Sequence, residues 1–454
     1  MSDAIHELLA ALGPDVVTTD GISERYASDW TSVDPCPPVA LVRPRSTEQL
    51  ATALWICDRH HQPVVAQGGL TGLAGGAVPS PGDVAVSLER LVGVEEIDAA
   101  AATMTVWAGT TLEAAQEAAA AAGFELTYDL GSRGSCTVGG NVATNAGGNR
   151  VIHDGMTRDH VLGLEVVLAD GTVVSSLNKL LKNNTGYDVK QLFIGSEGTL
   201  GVVTRVVLRL RRAPAARATA LLACPDYGGV LAVLDTFRRR APNLTACEVM
   251  WPEYYGVLAE RRGVSPPIDI GTGQGMIVEL SGNEPDRDVA LLERLIGASI
   301  ESGHATDAFV ARSAADTAAI WGMREAGPMD GVPLVHFDLG LPTGEIDRFV
   351  TEATARLRDE WPGIVVYSFG HIGDGNLHFN PAIDAGDREA QHRIEALVYG
   401  IVAEYGGSVS AEHGIGTVKK PYLSHSRSEA EIDLMRRIKT ALDPNGILNR
   451  GKVL

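Results

Sequence analysis

The chain has 454 residues, of which 45% are apolar and 21% charged, and its formal net charge is −19. That length exceeds one ordinary core and predicts two or three domains, and the composition is that of a globular protein without low-complexity runs. A strongly acidic chain with no basic patch excludes nucleic acid and anionic membrane surfaces as partners; a small anionic substrate would need a locally positive pocket.

The opening MSDAIHELLAALGPD carries acidic residues and no long apolar core, so no secretory leader is expected there, and no apolar run approaches the ~18 residues of a membrane span. Cys36, Cys57, Cys136, Cys224 and Cys247 are odd in number and form no C-x-x-C pair. Neither a disulfide framework nor a thiolate metal site is expected, and the compartment is read as reducing, the cytoplasm.

Between 39 and 210, short β-branched runs (VALVRP, QPVVAQ, DVAVSL, ATMTVWAG, HVLGLEVVLADGTVV, GVVTRVVLRL) alternate with helical stretches such as STEQLATALWICDRHH and TTLEAAQEAAAAAG. This predicts a mixed domain of strands and helices with glycine-dense connections. The alanine-rich helix has Thr110 or Thr111 as its N-cap and stops at Gly123. The proline- and alanine-rich RRAPAARA (211–218) marks a boundary. Beyond it, ATALLAC, TACEVM, GMIVELSG, TDAFVAR, PLVHFDLGLP and IVVYSFG interleave with helical patterns, which predicts an open sheet with helices on one face. A last helix, EAEIDLMRRIKTALD, leads into DPNGILNRGKVL.

Two glycine-rich stretches stand out. AQGGLTGLAGG (66–76) follows a strand-like PVV, and DLGSRGSCTVGGNVATNAGGNR (129–150) is dense in Gly, Ser, Thr and Asn. Such segments expose backbone N–H groups that can converge on phosphate, with small hydroxyl donors such as Thr71 beside them. Taken alone they are equally compatible with tight turns. Neither G-x-G-x-x-G between strand and helix nor G-x-x-x-x-G-K-[ST] is present, which counts against nicotinamide and P-loop sites.

The segments QGGLTGLAGG, GSCTVGGNVATNAGG, VLGLEVVLADGTVV, NNTGYDVKQLFIGSEGTLGVVT and DPNGILN resemble the FAD-binding proteins of the vanillyl-alcohol oxidase and p-cresol methylhydroxylase (PCMH) superfamily, closest to the D-2-hydroxyglutarate dehydrogenases and their D-lactate and glycolate relatives. The resemblance implies an α+β architecture: a PCMH-type FAD-binding domain over 1–212, a substrate or cap domain over 213–410 with a ferredoxin-like sheet plus helices, and a segment 411–454 that returns to the first domain. It implies FAD contacts from Gln67, Gly68, Gly69, Leu70, Thr71 and Gly72 in the first loop, and from Gly134, Ser135, Gly139, Asn141, Thr144 and Gly147 in the second. Glu197 and Val203 would meet the adenine end or the ring edge, and Asn449 the flavin. Some relatives attach FAD through a histidine in the first loop; Leu70 and its neighbours offer no such group, so the flavin is expected to be non-covalent.

In SFGHIGDGNLHFN (368–380) the Asp374-Gly375 pair predicts a two-residue hairpin turn. Gly373 would then face Asn376, and His371 would face His378, with Asn380 on the same face. Two imidazoles so placed can share a divalent ion. SVSAEHGIG supplies Glu412 and His413, although spacing alone does not join them to the hairpin. The same resemblance implies that His371, His378 and Glu412 bind zinc or another divalent metal, that Asn380 and His413 lie beside the substrate with His413 as general base, and that Arg324 in IWGMREAG holds a substrate carboxylate.

Where the resembled dehydrogenases carry a lysine, this chain has His336, and near their threonine it has Pro328. D-2-hydroxyglutarate is the first expectation for the substrate, a metal-assisted hydride transfer to flavin N5 the reaction, and electron-transfer flavoprotein or a quinone the electron acceptor, with a homodimer left open. Glycolate or D-lactate oxidation is the alternative within the enzyme class. A flavin-free metallohydrolase built on the histidines is the alternative outside it, although H-E-x-x-H and a nucleophile elbow are absent.

Overall fold

The structure, a computed structural model, describes residues 2–325, 327–384 and 386–454. The chain divides into two compact units, one made of Met1–Gly148, Gly155–Ala213 and Glu412–Leu454, the other of Asn149–Asp154 and Pro214–Ala411.

In the first unit the strands Ala40–Val42, Val84–Ser87 and Val64–Gln67 pair in parallel. Their side chains are buried at nearly every position, as expected for strands covered on both faces. The helix Thr47–Arg59 starts where the Ser46 side chain accepts from the Gln49 amide, and it buries Leu50, Ala53, Leu54 and Cys57. An antiparallel sheet follows, ordered Val94–Asp98, Thr103–Trp107, Val202–Arg209, Val161–Val167, Val173–Ser176. The alanine-rich helix runs Leu112–Ala121 with Thr111 as its N-cap. One apolar core joins these elements and takes in Ile447 and Leu448 from the last residues of the chain. Those residues run alongside strand Val64–Gln67: the Val64 amide donates to the Ile447 carbonyl (2.8 Å), and the Asn449 amide to the Val64 carbonyl (2.8 Å).

In the second unit the strands Asp307–Val310, Ala216–Cys224, Gln274–Gly282, Leu244–Met250, Val366–His371, Asn376–Pro381 and Phe337–Gly340 form one antiparallel sheet in that spatial order. The expectation of helices on one face is corrected here. Leu221 and Ala223 pack with Tyr254, Leu258 and Ile320 from the helices Pro252–Arg262 and Ala314–Gly322. The alternating set, Ala220 and Leu222, is equally buried, and the helix Pro285–Glu301 also packs on these strands. Consecutive apolar residues in ATALLAC are the sequence trace of this two-sided cover.

Candidate active site

Within the first unit, strand Val64–Gln67 ends in the first glycine loop. The Gln67 side chain closes it, donating to the carbonyls of Tyr26 and Ala77 at 2.9 Å each. Leu70 sits in the left-handed region at φ 58°. The backbone N–H groups of Gly68, Gly69, Leu70, Thr71 and Gly72 meet no acceptor among the described residues. The second glycine stretch lies directly against this loop. A Cβ on Gly69 would fall 2.0 Å from the Ser135 carbonyl oxygen, and one on Gly68 would fall 2.6 Å from Thr137 Oγ1.

Helix Val138–Thr144 begins at Thr137, whose hydroxyl accepts from the Gly140 amide. Gly139 lets the helix approach Ala108, since its Cβ would stand 2.5 Å from that of Ala108. Among the described residues, buried Asn141 has a side-chain nitrogen, and Gln67 a side-chain oxygen, without a hydrogen-bond partner. Thr144 is half-buried with its hydroxyl on the Gly140 carbonyl, Gly134 and Ser135 are exposed in the preceding turn, and Gly147 is buried. Unspent amides, unspent amide side chains and close backbone approach are what an extended diphosphate ligand such as FAD requires.

Three segments of the same unit meet at Glu197, itself at φ 52°. Its carboxylate accepts from the amides of Ile415 (2.7 Å) and Gly416 (2.8 Å), just after His413, and its amide donates to the Ala143 carbonyl (2.8 Å). Burial pushes its carboxyl up from the ordinary value, against the pull of those two amides. Asn449, also left-handed, receives the Ala66 amide (2.8 Å) and donates to the Glu197 carbonyl (2.6 Å). Glu412 Oε1 accepts from the Gly148 amide at 2.7 Å, and a Cβ on Gly147 would fall 2.5 Å from that oxygen. His413 is half-buried in the same turn, whereas Val203 is buried in the apolar core.

In the second unit, one face of the sheet carries a polar ladder. Phe369 is paired with His378, Tyr367 with Asn380, and Asp338 with His378 across adjacent strands. The register differs from the expected one: His371 faces Asn376, because Ile372, Gly373, Asp374 and Gly375 all lie in the turn. Tertiary contacts decide this. The Gly373 amide reaches the Cys247 carbonyl (3.3 Å), the Arg238 side chain donates to the Gly373 carbonyl (2.6 Å), and a Cβ on Gly373 would strike Ile152 at 2.5 Å. A slip of two residues keeps every side chain on its face. His371 and His378 therefore still meet, as diagonal neighbours, with Nε2 atoms 3.4 Å apart.

That separation is informative. Two nitrogens bound at 2.0–2.1 Å to one tetrahedral ion stand roughly 3.4 Å apart, so the pair fits a shared cation. Buried Arg324 lies with its guanidinium 4.3 Å over the Phe369 ring. Its Nε donates to Glu248 Oε2 at 2.6 Å, and Glu248 Oε1 takes His371 Nδ1 at 2.7 Å. The Tyr254 hydroxyl, pushed up to about 12 by burial, donates to the Arg324 carbonyl. Asn380 is buried and donates to the Tyr367 carbonyl, and exposed His336 pairs with its side-chain oxygen at 3.0 Å. Asp338 is fully buried and accepts from the Asn376 side chain (2.8 Å) and the Ala411 amide (3.1 Å). Glu248 and Asp338 were not singled out in the sequence. The available signal was a lone acid inside an apolar strand run, since a fully buried carboxylate must have partners.

Comparison with known proteins adds a family context. Residues 38–176 match the FAD binding domain family, and residues 213–453 the family of FAD linked oxidases, C-terminal domain. The chain is 38% identical over 431 residues to a mitochondrial D-2-hydroxyglutarate dehydrogenase of Bos taurus, covering 94% of this chain and 78% of the relative. It is 34% identical to D-2-hydroxyglutarate dehydrogenase of Stutzerimonas stutzeri, covering 99% and 98% of the two chains. Among solved structures, p-cresol methylhydroxylase with substrate bound superposes with a TM-score of 0.78 at 16% identity, covering 99% of this chain and 96% of that one. An alkyldihydroxyacetonephosphate synthase gives 0.77 at 17% identity, covering 99% and 86%. These two likenesses show the fold alone.

Proposed function

The chain belongs to the FAD-linked oxidases and is an FAD-dependent oxidoreductase acting on CH–OH donors, and from that premise we propose that it oxidises a D-2-hydroxy acid to the 2-oxo acid, with D-2-hydroxyglutarate the first choice. The observation that carries the substrate class is the ladder of the second unit, where a buried arginine stands beside two imidazole nitrogens 3.4 Å apart. A planar guanidinium suits a carboxylate, and adjacent imidazoles suit the cation that a 2-hydroxy acid can chelate.

Non-covalent FAD, held by the loops around Gly69 and Gly139, supplies the hydride acceptor. Zinc or another divalent ion on His371, His378 and Glu412 supplies polarisation of the substrate hydroxyl. The chain connection supports Glu412 in this set. Ala411 is tied to Asp338, Asp338 is paired with His378, and Glu412 is the next residue. Arg324 binds a substrate carboxylate, and Asn380 lies beside the substrate. His413 accepts the hydroxyl proton on a ring nitrogen as general base. His336, where the resembled enzymes carry lysine, supports a second reading in which a smaller acid, D-lactate or glycolate, is preferred.

Anaerobic mixing with a panel of D- and L-2-hydroxy acids tests the proposal. The flavin band should bleach with a D-acid, more slowly after chelation, and at least about 100-fold more slowly in folded, flavin-loaded His413→Ala. A band untouched by every D-2-hydroxy acid, or bleached at the normal rate by the variant, would overturn it.

A further inference from the structure

We propose that Glu248 is the positioning residue of the ladder: one carboxylate fixes His371 in the tautomer that offers Nε2 to a cation and holds Arg324 ready for a substrate carboxylate. The inference rests on the function proposed above and deepens it.

Glu248 is fully buried on strand Leu244–Met250, and its two oxygens have separate tasks, Oε1 toward His371 Nδ1 at 2.7 Å and Oε2 toward Arg324 Nε at 2.6 Å. A carboxylate beside a guanidinium accepts hydrogen bonds, so Nδ1 of His371 must carry the proton and Nε2 the lone pair. A second observation agrees. Arg324 Nη2, which can only donate, lies 3.4 Å from that same Nε2. Arg324 is fixed by Glu248 at Nε, by the Phe369 ring below, and by Tyr254 at its carbonyl. No hydrogen bond joins its Nη1 to a described residue, and a planar group with a spare N–H edge suits an incoming carboxylate.

Charge balance gives the arrangement a reason. Arg324 Nη2 lies 3.4 Å from His371 Nε2, so a cation held by that histidine would meet the guanidinium as a like charge in a buried site. Glu248 touches both groups and offsets that repulsion. Carboxylates behind a metal-binding histidine set the ligand's orientation and basicity in the same way.

The test uses flavin-loaded wild type, Glu248→Gln and Glu248→Asp. Zinc affinity is measured by competition with a chromogenic chelator, and kcat and KM with D-2-hydroxyglutarate at saturating zinc. Glu248→Gln keeps the volume, but its amide can donate to Nδ1 and move the proton to Nε2. Its zinc affinity should fall about 10- to 100-fold, with a raised KM and normal flavin content; Glu248→Asp should recover part of both. A folded Glu248→Gln with wild-type zinc affinity and KM overturns the inference alone. A wild type that binds neither zinc nor another divalent ion overturns the metal-assisted part of the function reading, and the inference with it. Histidine-selective 15N NMR of metal-free, flavin-loaded wild type needs no variant: His371 should be protonated on Nδ1, and protonation on Nε2 would overturn the proposal.

Discussion

The two units build their functional surfaces from opposite materials. The first relies on backbone: unspent amides along Gly68–Gly72, a left-handed Leu70, and glycines whose missing Cβ lets two segments touch. The second relies on side chains fixed on adjacent strands, with Glu248, His371, His378 and Arg324 each held by a named partner. A backbone cradle should tolerate changes of side-chain chemistry but not of volume. A buried ionic ladder should tolerate changes of volume better than the loss of one charge.

The largest expected effect breaks the ladder. Glu248→Ala leaves the Arg324 charge buried without its acceptor and should cost about 3–5 kcal/mol of stability, read from chemical denaturation. A loss below about 1 kcal/mol would mean that this face of the sheet tolerates change as the cradle does. Next, Gly69→Ala forces a Cβ against the Ser135 carbonyl and the Cys136 backbone. It should cost about 1–3 kcal/mol and yield protein depleted in flavin, measured by the ratio of flavin to protein absorbance. Thr71→Ser, two positions along the same loop, should keep the flavin, and equal loss in both variants would erase the contrast.

The smallest effect concerns a charge that the first unit does bury. The Lys452 ammonium has no hydrogen-bond partner among the described residues, and burial holds its pKa below the ordinary lysine value. The folded chain therefore releases this proton at lower pH than the unfolded chain. Between the two values the unfolded state binds more protons, and stability rises with pH. Lys452→Met should remove that slope and stabilise the protein at neutral pH by about 1 kcal/mol. Denaturation midpoints at neutral and alkaline pH check this; an unchanged slope would assign it to another group.

Local signals in the sequence were strong where chemistry is local. Thr111 caps its helix as expected, and the glycine loops were visible because few residues but glycine permit such close backbone approach. The histidine pair was legible by strand parity, since a shift of two residues leaves the face unchanged. The turn itself was not, because contacts from Cys247, Arg238 and Ile152, far away in sequence, override the Asp-Gly preference. Glu248 was passed over for a similar reason: it comes to His371 and Arg324 only through strand pairing and packing across long sequence separations.

The sequence by itself determined the family, the α+β class and the residue types that can hold flavin and a cation, because motif glycines and alternating strand residues act over a few positions. Only the tertiary structure decided which atoms meet. A hydrogen bond of 2.7 Å between Glu248 and His371, 123 residues apart, exists only once the sheet has set its register.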